Sequence, residues 1–260
     1  MELSIRSLTV SDREADHPLK LLVSVVNRRE ALEAIKGGAH IIDVKNPREG
    51  SLGANFPRVI RQISEIAPSN VELSATIGDL PNLPGTASLA ALGAAVSGAN
   101  YIKAGLYGVR TRMEAVPLMR EVCRAVKDYN SASRVIAAGY ADFQKTGSLD
   151  PKKLPAIAAE VNADGVMVDV KIKNQGKLFD FLSDEELKRF ASRAHRYGLT
   201  VALAGSLDKE DVARTHRLGA DVVGVRRAAC SKKDRLRGRI QANAVTEIIK
   251  AVSECQEASR

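Results

Sequence analysis

The sequence predicts an α/β protein folded as a single (β/α)8 barrel, and three observations carry that expectation. Short apolar runs alternate with helical patterns eight times over 260 residues, which implies a parallel sheet closed on itself. The length is that of one such barrel. Hydrophobic residues make up 45% of the chain, aromatics only 4%, and tryptophan is absent; the core must therefore be aliphatic, as suits strands buried on both faces.

The elements follow in order. Residues 1–19 read as a polar extension without the apolar centre of a signal peptide, and the barrel is expected over 20–260. The first apolar run, Leu21–Val26, predicts a strand, with a helix near 28–37 behind it. Ile41–Lys45 predicts the second strand, with a helix near 57–66. Val71–Ile77 pairs with a helix near 86–97, and Tyr101–Leu106 with one near 112–129. In the second half Arg134–Gly139, Gly165–Val170, Thr200–Gly205 and Val222–Arg226 alternate with helices near 151–161, 183–197, 208–218 and 238–254. Ser183 followed by Glu186 marks a helix start, because the two side chains can satisfy otherwise orphaned amides. Pro117, within the fourth helical pattern, has no N–H to donate and should kink that helix or mark its start. The longest unpatterned connection, Asn46–Phe56, is either a lid or an ordinary βα turn.

Four segments look like copies of one another: GAHIIDVK (38–45), GANYIK (98–103), ADGVMVD (163–169) and GADVVGVR (219–226). They start about 60 residues apart, the length of two β-α units. They end on Lys45, Lys103, Asp169 and Arg226. A charge at the carboxyl end of a barrel strand faces the mouth where catalysis occurs. Strand alternation puts Asp43 on the same face as Lys45, one layer lower. It also groups Tyr101 with Lys103, Met167 with Asp169, and Gly224 with Arg226. Lys45, Lys103 and Asp169 should then meet at the mouth, where Lys173 on the following loop could join them. Burial and a neighbouring cation both disfavour an ammonium, so one lysine of such a group becomes a neutral amine. A neutral amine forms a Schiff base with an aldehyde or ketone, while another lysine or Asp169 moves protons. A single lysine at a strand end is commonly an exposed terminus; two at equivalent positions argue for a shared site.

Phosphate binding has its own signal. Gly205 and Ser206 follow strand 7, with Asp208 near a helix start, and Gly224 and Arg226 end strand 8. Loops at these two places commonly hold phosphate through backbone amides, although tight turns also explain the glycines. Ser24, Ser74, Thr76, Asp79, Tyr140 and Asp142 are candidate supporting groups, with Asp79 expected to cap the loop Gly78–Gly85. A formal charge of +8 attracts anions. Part of it lies in Arg226, Arg227, Lys232, Lys233, Arg235, Arg237 and Arg239, a stretch that reads as a solvated loop or a phosphate-binding one. The shortage of aromatics argues against nucleic acid, and no apolar run is long enough to span a membrane. Cys123, Cys230 and Cys255, like His17, His40, His195 and His216, lack metal-ligand spacing. The cysteines suit a reducing, cytoplasmic setting. There is neither a P-loop nor a dinucleotide fingerprint. The expected partner is a small phosphorylated molecule, without metal or organic cofactor; a single chain and a homo-oligomer both stay open.

Longer motifs sharpen this. IIDVKNPREGSLGANFP, LSATIGDLPNLPGTASLAALGAAVSGANYIKAGLYG, AAGYAD, LFDFLSDEEL, VALAGS and GVRRAAC with DRLRGRI resemble the (5-formylfuran-3-yl)methyl phosphate synthase family of methanofuran biosynthesis, over roughly residues 20–250. The resemblance implies a barrel like that of class I aldolases and no cofactor. It implies condensation of two glyceraldehyde 3-phosphate molecules to 4-(hydroxymethyl)-2-furancarboxaldehyde phosphate with loss of phosphate and water. Lys45 stands where the family has its Schiff-base lysine and Lys103 where it has its proton-transferring lysine. Asp169 and Lys173 match the family's D-x-x-x-K. The chain departs from the pattern in having Arg227 where glycine is usual, Val25 where proline is common, and Lys171 close to Lys173. Arg227 could grip a phosphate or crowd it.

Overall fold

A computed structural model describes residues 18–258. Eight parallel strands close into a barrel in sequence order. They are β1 (Lys20–Val25), β2 (Ile41–Val44), β3 (Glu72–Pro81), β4 (Tyr101–Gly108), β5 (Arg134–Tyr140), β6 (Gly165–Asp169), β7 (Thr200–Leu203) and β8 (Val222–Val225). Around them pack α1 (Arg28–Lys36), α2 (Pro57–Ser64), α3 (Pro84–Val96), α4 (Arg112–Tyr129), α5 (Phe143–Thr146), α6 (Leu154–Glu160), α7 (Asp184–Arg196), α8 (Val212–Arg217) and α9 (Ala242–Glu257). The (β/α)8 expectation holds. No described helix is long and apolar enough to cross a membrane.

The differences lie at the ends of elements. Lys45, Gly205 and Arg226 sit just beyond their strands rather than within them. β3 runs on to Pro81, with register shifts against β4 on either side of Asp79. The short helix α5 was not foreseen. The helix expected at 151–161 is a 3-10 turn, Pro151–Lys153, leading into α6, and that at 208–218 is a 3-10 turn, Lys209–Asp211, leading into α8. Ser183 and Glu186 cap α7 reciprocally, as expected. Pro117 does not start α4: Thr111 and Glu114 form a capping box upstream of it, and the helix continues through the proline. The carbonyl deprived of a donor belongs to Met113, which is 85% exposed, so water can serve it.

Apolar side chains form two layers. Val23, Ile42, Ile102, Val166 and Val223 point outward against Ala31, Leu118, Leu187 and Val245 of the helices. Leu22, Ile41, Tyr101, Ile136, Met167 and Val222 fill the barrel interior, where Leu52 joins them from the β2–α2 connection. Closure is uneven. β1 pairs with β8 over four residues, but β7 pairs with β8 over only two. That ladder stops short of the mouth, and the cavity described below opens beside it. The folded body also reaches back further than expected. Leu19 is buried, and its carbonyl accepts a hydrogen bond from Gln256 Nε2 of α9 at 2.9 Å. Residues 1–17 of the expected extension, including His17, lie outside the described residues.

Candidate active site

The site is built in two layers. In the lower one, alternation along β2 turns Asp43 into the barrel. Asp43 is fully buried and Lys103 of β4 is 2% exposed. Asp43 Oδ1 lies 2.8 Å from Lys103 Nζ, and Asp43 Oδ2 accepts from Ser24 Oγ at 2.9 Å. The Lys103 contact is close enough for an ion pair but off the axis of a directed hydrogen bond. Lys103 Nζ, Asp43 Oδ1 and the nearby Ser74 Oγ therefore keep unused hydrogen-bonding capacity.

The upper layer holds Lys45, Asp169 and Lys173. Lys45 is 6% exposed, and its Nζ donates to the Ser51 carbonyl at 3.2 Å. Burial pushes the Lys45 ammonium down to about 7; Lys173 and Lys103 add to the fall, while Asp169 and Asp43 oppose it. Of the lysines grouped in the sequence, Lys45 is thus one that can present a neutral amine near pH 7. Asp169 is paired with Lys173 and accepts the Val170 amide at 2.7 Å. Burial alone would raise the Asp169 carboxyl, but Lys173, Lys45 and these hydrogen bonds hold it at about 2. Burial also lowers the Lys173 ammonium, against the pull of Asp169. Lys171, the alternative to Lys173, turns elsewhere: its Nζ lies 3.2 Å from Asp79 Oδ2 and over the Tyr107 ring.

The connections after the strands roof this layer. Asp79 was expected to cap its own loop. It instead accepts the amides of Ser51 and Leu52, at 3.0 and 3.1 Å, together with the Tyr140 hydroxyl. Gly50 is required at this contact, because a Cβ there would sit 2.0 Å from Asp79 Oδ2. Thr76 Oγ1 donates to the Gly53 carbonyl at 2.8 Å. The loop after β6 is held similarly, with Asp142 accepting the amides of Lys171 and Ile172, each at 2.8 Å. Neither Ser51 nor the Asp79 clamp was picked out from sequence.

A cavity of about 40 Å³ lies beneath these loops. Lys45, Asp169 and Lys173 form one wall, and Gly205, Ser206 and Gly224 form the other. Among the described residues, Asp43 and Lys103 are not part of its lining. Gly205 and Ser206 both adopt the left-handed region, with φ of 120° and 57°, which is sterically easy only for the glycine. A Cβ at Gly205 would approach Val170 Cγ2 to 2.8 Å.

Arg226 borders the cavity, but its guanidinium turns away from the expected phosphate role. It donates to Glu30 at 2.8 Å, to the Ser24 carbonyl at 3.0 Å and to the Arg235 carbonyl at 2.8 Å. Alternation fails here because Arg226 leaves the extended conformation, with φ −137° and ψ −61°. Two other cations of the basic stretch line the cavity instead. Arg227 Nη2 donates to the Ser206 carbonyl at 3.1 Å and to the Asp208 carboxylate at 3.0 Å. Arg235 Nη2 donates to the Gly50 carbonyl at 3.1 Å. The sequence signalled Arg227 through its departure from the family pattern, whereas the density of arginines was the signal for Arg235.

This arrangement brings the lowered Lys45 amine, the buried Asp169 carboxylate and two arginines to the lining of one cavity. A family model described as 4-HFC-P synthase matches residues 21–249. The chain belongs to the 4-HFC-P synthase family. A (5-formylfuran-3-yl)methyl phosphate synthase from Methanopyrus kandleri is 55% identical over 234 residues, covering 90% of this chain and 99% of that protein. The like-named protein of Methanocaldococcus jannaschii is 54% identical over 228 residues, covering 88% and 97%. That of Methanosarcina acetivorans is 50% identical over 238 residues, covering 92% and 100%. These relatives make the chain an enzyme. Solved structures add the fold alone. A 3-hexulose-6-phosphate synthase matches with a TM-score of 0.61 at 18% identity, covering 89% of this chain and 99% of that one. KGPDC from Streptococcus mutans matches with a TM-score of 0.62 at 12% identity, covering 90% and 97%.

Proposed function

We propose that this chain makes (5-formylfuran-3-yl)methyl phosphate for methanofuran from two molecules of glyceraldehyde 3-phosphate, through a Schiff base on Lys45. The observation that carries the chemistry is the Lys45 amine, buried and lowered to about 7 beside the Asp169 carboxylate. In this reading the neutral amine adds to the aldehyde of one triose phosphate and water leaves, giving an iminium. The iminium draws electrons from the neighbouring carbon, Asp169 takes the proton from it, and the Lys103 ammonium is left to return protons in later steps. The C–O bond to phosphate then breaks by β-elimination. A second deprotonation, at the methyl carbon that elimination leaves, gives a further enamine. This adds to the middle carbon of the second molecule once that molecule has isomerised from aldehyde to ketone, so that the carbon bearing the phosphorylated CH2 group becomes the branch point of the furan. Ring closure with loss of water, and release from Lys45, complete the furan.

Gly205, Ser206, Gly224, Arg227 and Arg235 are the groups we assign to the phosphates. Their backbone and guanidinium donors would orient both substrates so that the carbon–carbon bond forms within one enclosure. Arg226 contributes through its backbone position and through the loop it anchors. The test is incubation with glyceraldehyde 3-phosphate, followed by product spectroscopy and by mass analysis of protein reduced with borohydride. A furan chromophore and an adduct on Lys45 support the reading. An aldol product without a furan would assign a sugar-phosphate aldolase instead, and an adduct on Lys103 or Lys173 would move the nucleophile.

A further inference from the structure

Ser51 lies in the β2–α2 connection, between residues whose backbones bend around it, and is 1% exposed. Each of its polar groups is held by a different part of the site. Its amide donates to Asp79 Oδ2 at 3.0 Å. Its carbonyl accepts from Lys45 Nζ at 3.2 Å. Its Oγ lies 2.8 Å from the Val170 carbonyl and 3.2 Å from Asp169 Oδ2.

A hydroxyl has one proton and two lone pairs, so Ser51 cannot donate fully to both neighbours. Turned to Asp169, it stabilises the carboxylate. Turned to the Val170 carbonyl, it offers Asp169 Oδ2 a lone pair, which suits a protonated carboxyl that donates. The two positions correspond to Asp169 before and after it takes a proton. Meanwhile a neutral lysine amine has two N–H bonds and one lone pair. Fixing one N–H on the Ser51 carbonyl restricts where that lone pair points.

We propose that Ser51 is a positioning residue that couples the two reacting groups: its carbonyl aims the Lys45 amine, and its hydroxyl follows the proton on Asp169. This inference rests on the Schiff-base reading above, with Asp169 as the group that carries the proton. Other groups also face Asp169. Lys173 and the Val170 amide approach from its own loop, Lys45 from the end of β2, Arg235 from the β8–α9 connection and Tyr140 from β5. The cations set the charge of Asp169. Ser51 sets which oxygen receives and returns the proton.

The experiment compares the unaltered chain with Ser51→Ala and Ser51→Cys, measuring steady-state turnover, borohydride trapping on Lys45 during turnover, and the isotope effect of substrate deuterated next to the aldehyde. Ser51→Ala keeps the backbone carbonyl, so trapping should persist. Loss of a hydrogen bond to a charged group should lower kcat about tenfold to a hundredfold, with KM little changed and a larger isotope effect, because proton removal becomes slower. Ser51→Cys, a weaker donor of similar size, should fall between. Turnover and trapping that decline in parallel, as damage to the fold would cause, overturn the proposal, and so does an isotope effect that stays the same. If the unaltered chain gives no adduct on Lys45, the Schiff-base reading fails first and takes this inference with it.

Discussion

Lys45 sits where an ammonium is costly, and that cost can be measured apart from catalysis. Its folded value of about 7 lies below the 10.5 of an unhindered lysine. Between these values the unfolded chain binds a proton that the folded chain does not, so stability rises with pH across that window. Below about 7 the burial cost is present in full. Lys45→Met removes it. This variant should melt above the unaltered chain at about pH 6, and the gap should close as pH approaches about 10. A gap independent of pH would show that Lys45 is not neutralised by the fold. The same amine predicts that imine formation, read by borohydride trapping, rises with pH through about 7 and then levels. Lys103 behaves differently, because removing it strands Asp43 without its cation. Lys103→Ala should lose about 3–5 kcal/mol of stability and most of its turnover, yet still form the trapped adduct. Unchanged turnover would remove Lys103 from the mechanism.

At the scale of elements, the β2–α2 connection is what turns strand ends into a site. Leu52 plugs the inner core while Asp79 grips the two amides at positions 51 and 52. The cavity beside it, about 40 Å³ and partly open to solvent, is smaller than the few hundred Å³ of ordinary ligand sites. Asp79→Ala removes both acceptors. Hydrogen exchange at 51 and 52 should quicken, and kcat/KM should fall about tenfold, in line with loss of charged hydrogen bonds; exchange that does not change would show that Leu52 alone holds the loop. Such contacts were hidden in the sequence for a physical reason. Period-two alternation is local, and it placed Asp43, Lys45, Lys103 and Asp169 because each lies on or next to a regular strand. Ser51, Asp79 and Arg235 meet only through barrel closure, and no local pattern records which loops converge. Arg226 shows where the local rule ends: one residue past β8 the backbone is no longer extended, and the side chain swings to α1 instead of the mouth.

For the whole molecule that swing has a structural use, because β1 and β8 meet at the seam where the barrel closes. Asn27 caps α1 by accepting the Glu30 amide at 3.0 Å. This sets Glu30 on the first turn, where its carboxylate also accepts the Val26 amide at 3.0 Å. Arg226 crosses from β8 to reach both Glu30 and the Ser24 carbonyl of β1. Arginine and glutamate are each 5% exposed at the side chain, so removing one leaves the other buried and unpaired. Glu30→Ala should therefore cost about 3–5 kcal/mol, whereas replacing both partners by apolar residues, as in Glu30→Leu with Arg226→Met, should recover most of it. Urea denaturation of the single and double variants measures this directly. Recovery of stability need not restore function. Arg226 Nε also holds the Arg235 carbonyl, and Arg235 reaches across the mouth to Gly50. The double variant should thus fold well but bind substrate weakly, with a raised KM. If it matches the unaltered chain in KM, the seam and the arginine-lined side of the cavity are independent, and Arg226 serves closure alone.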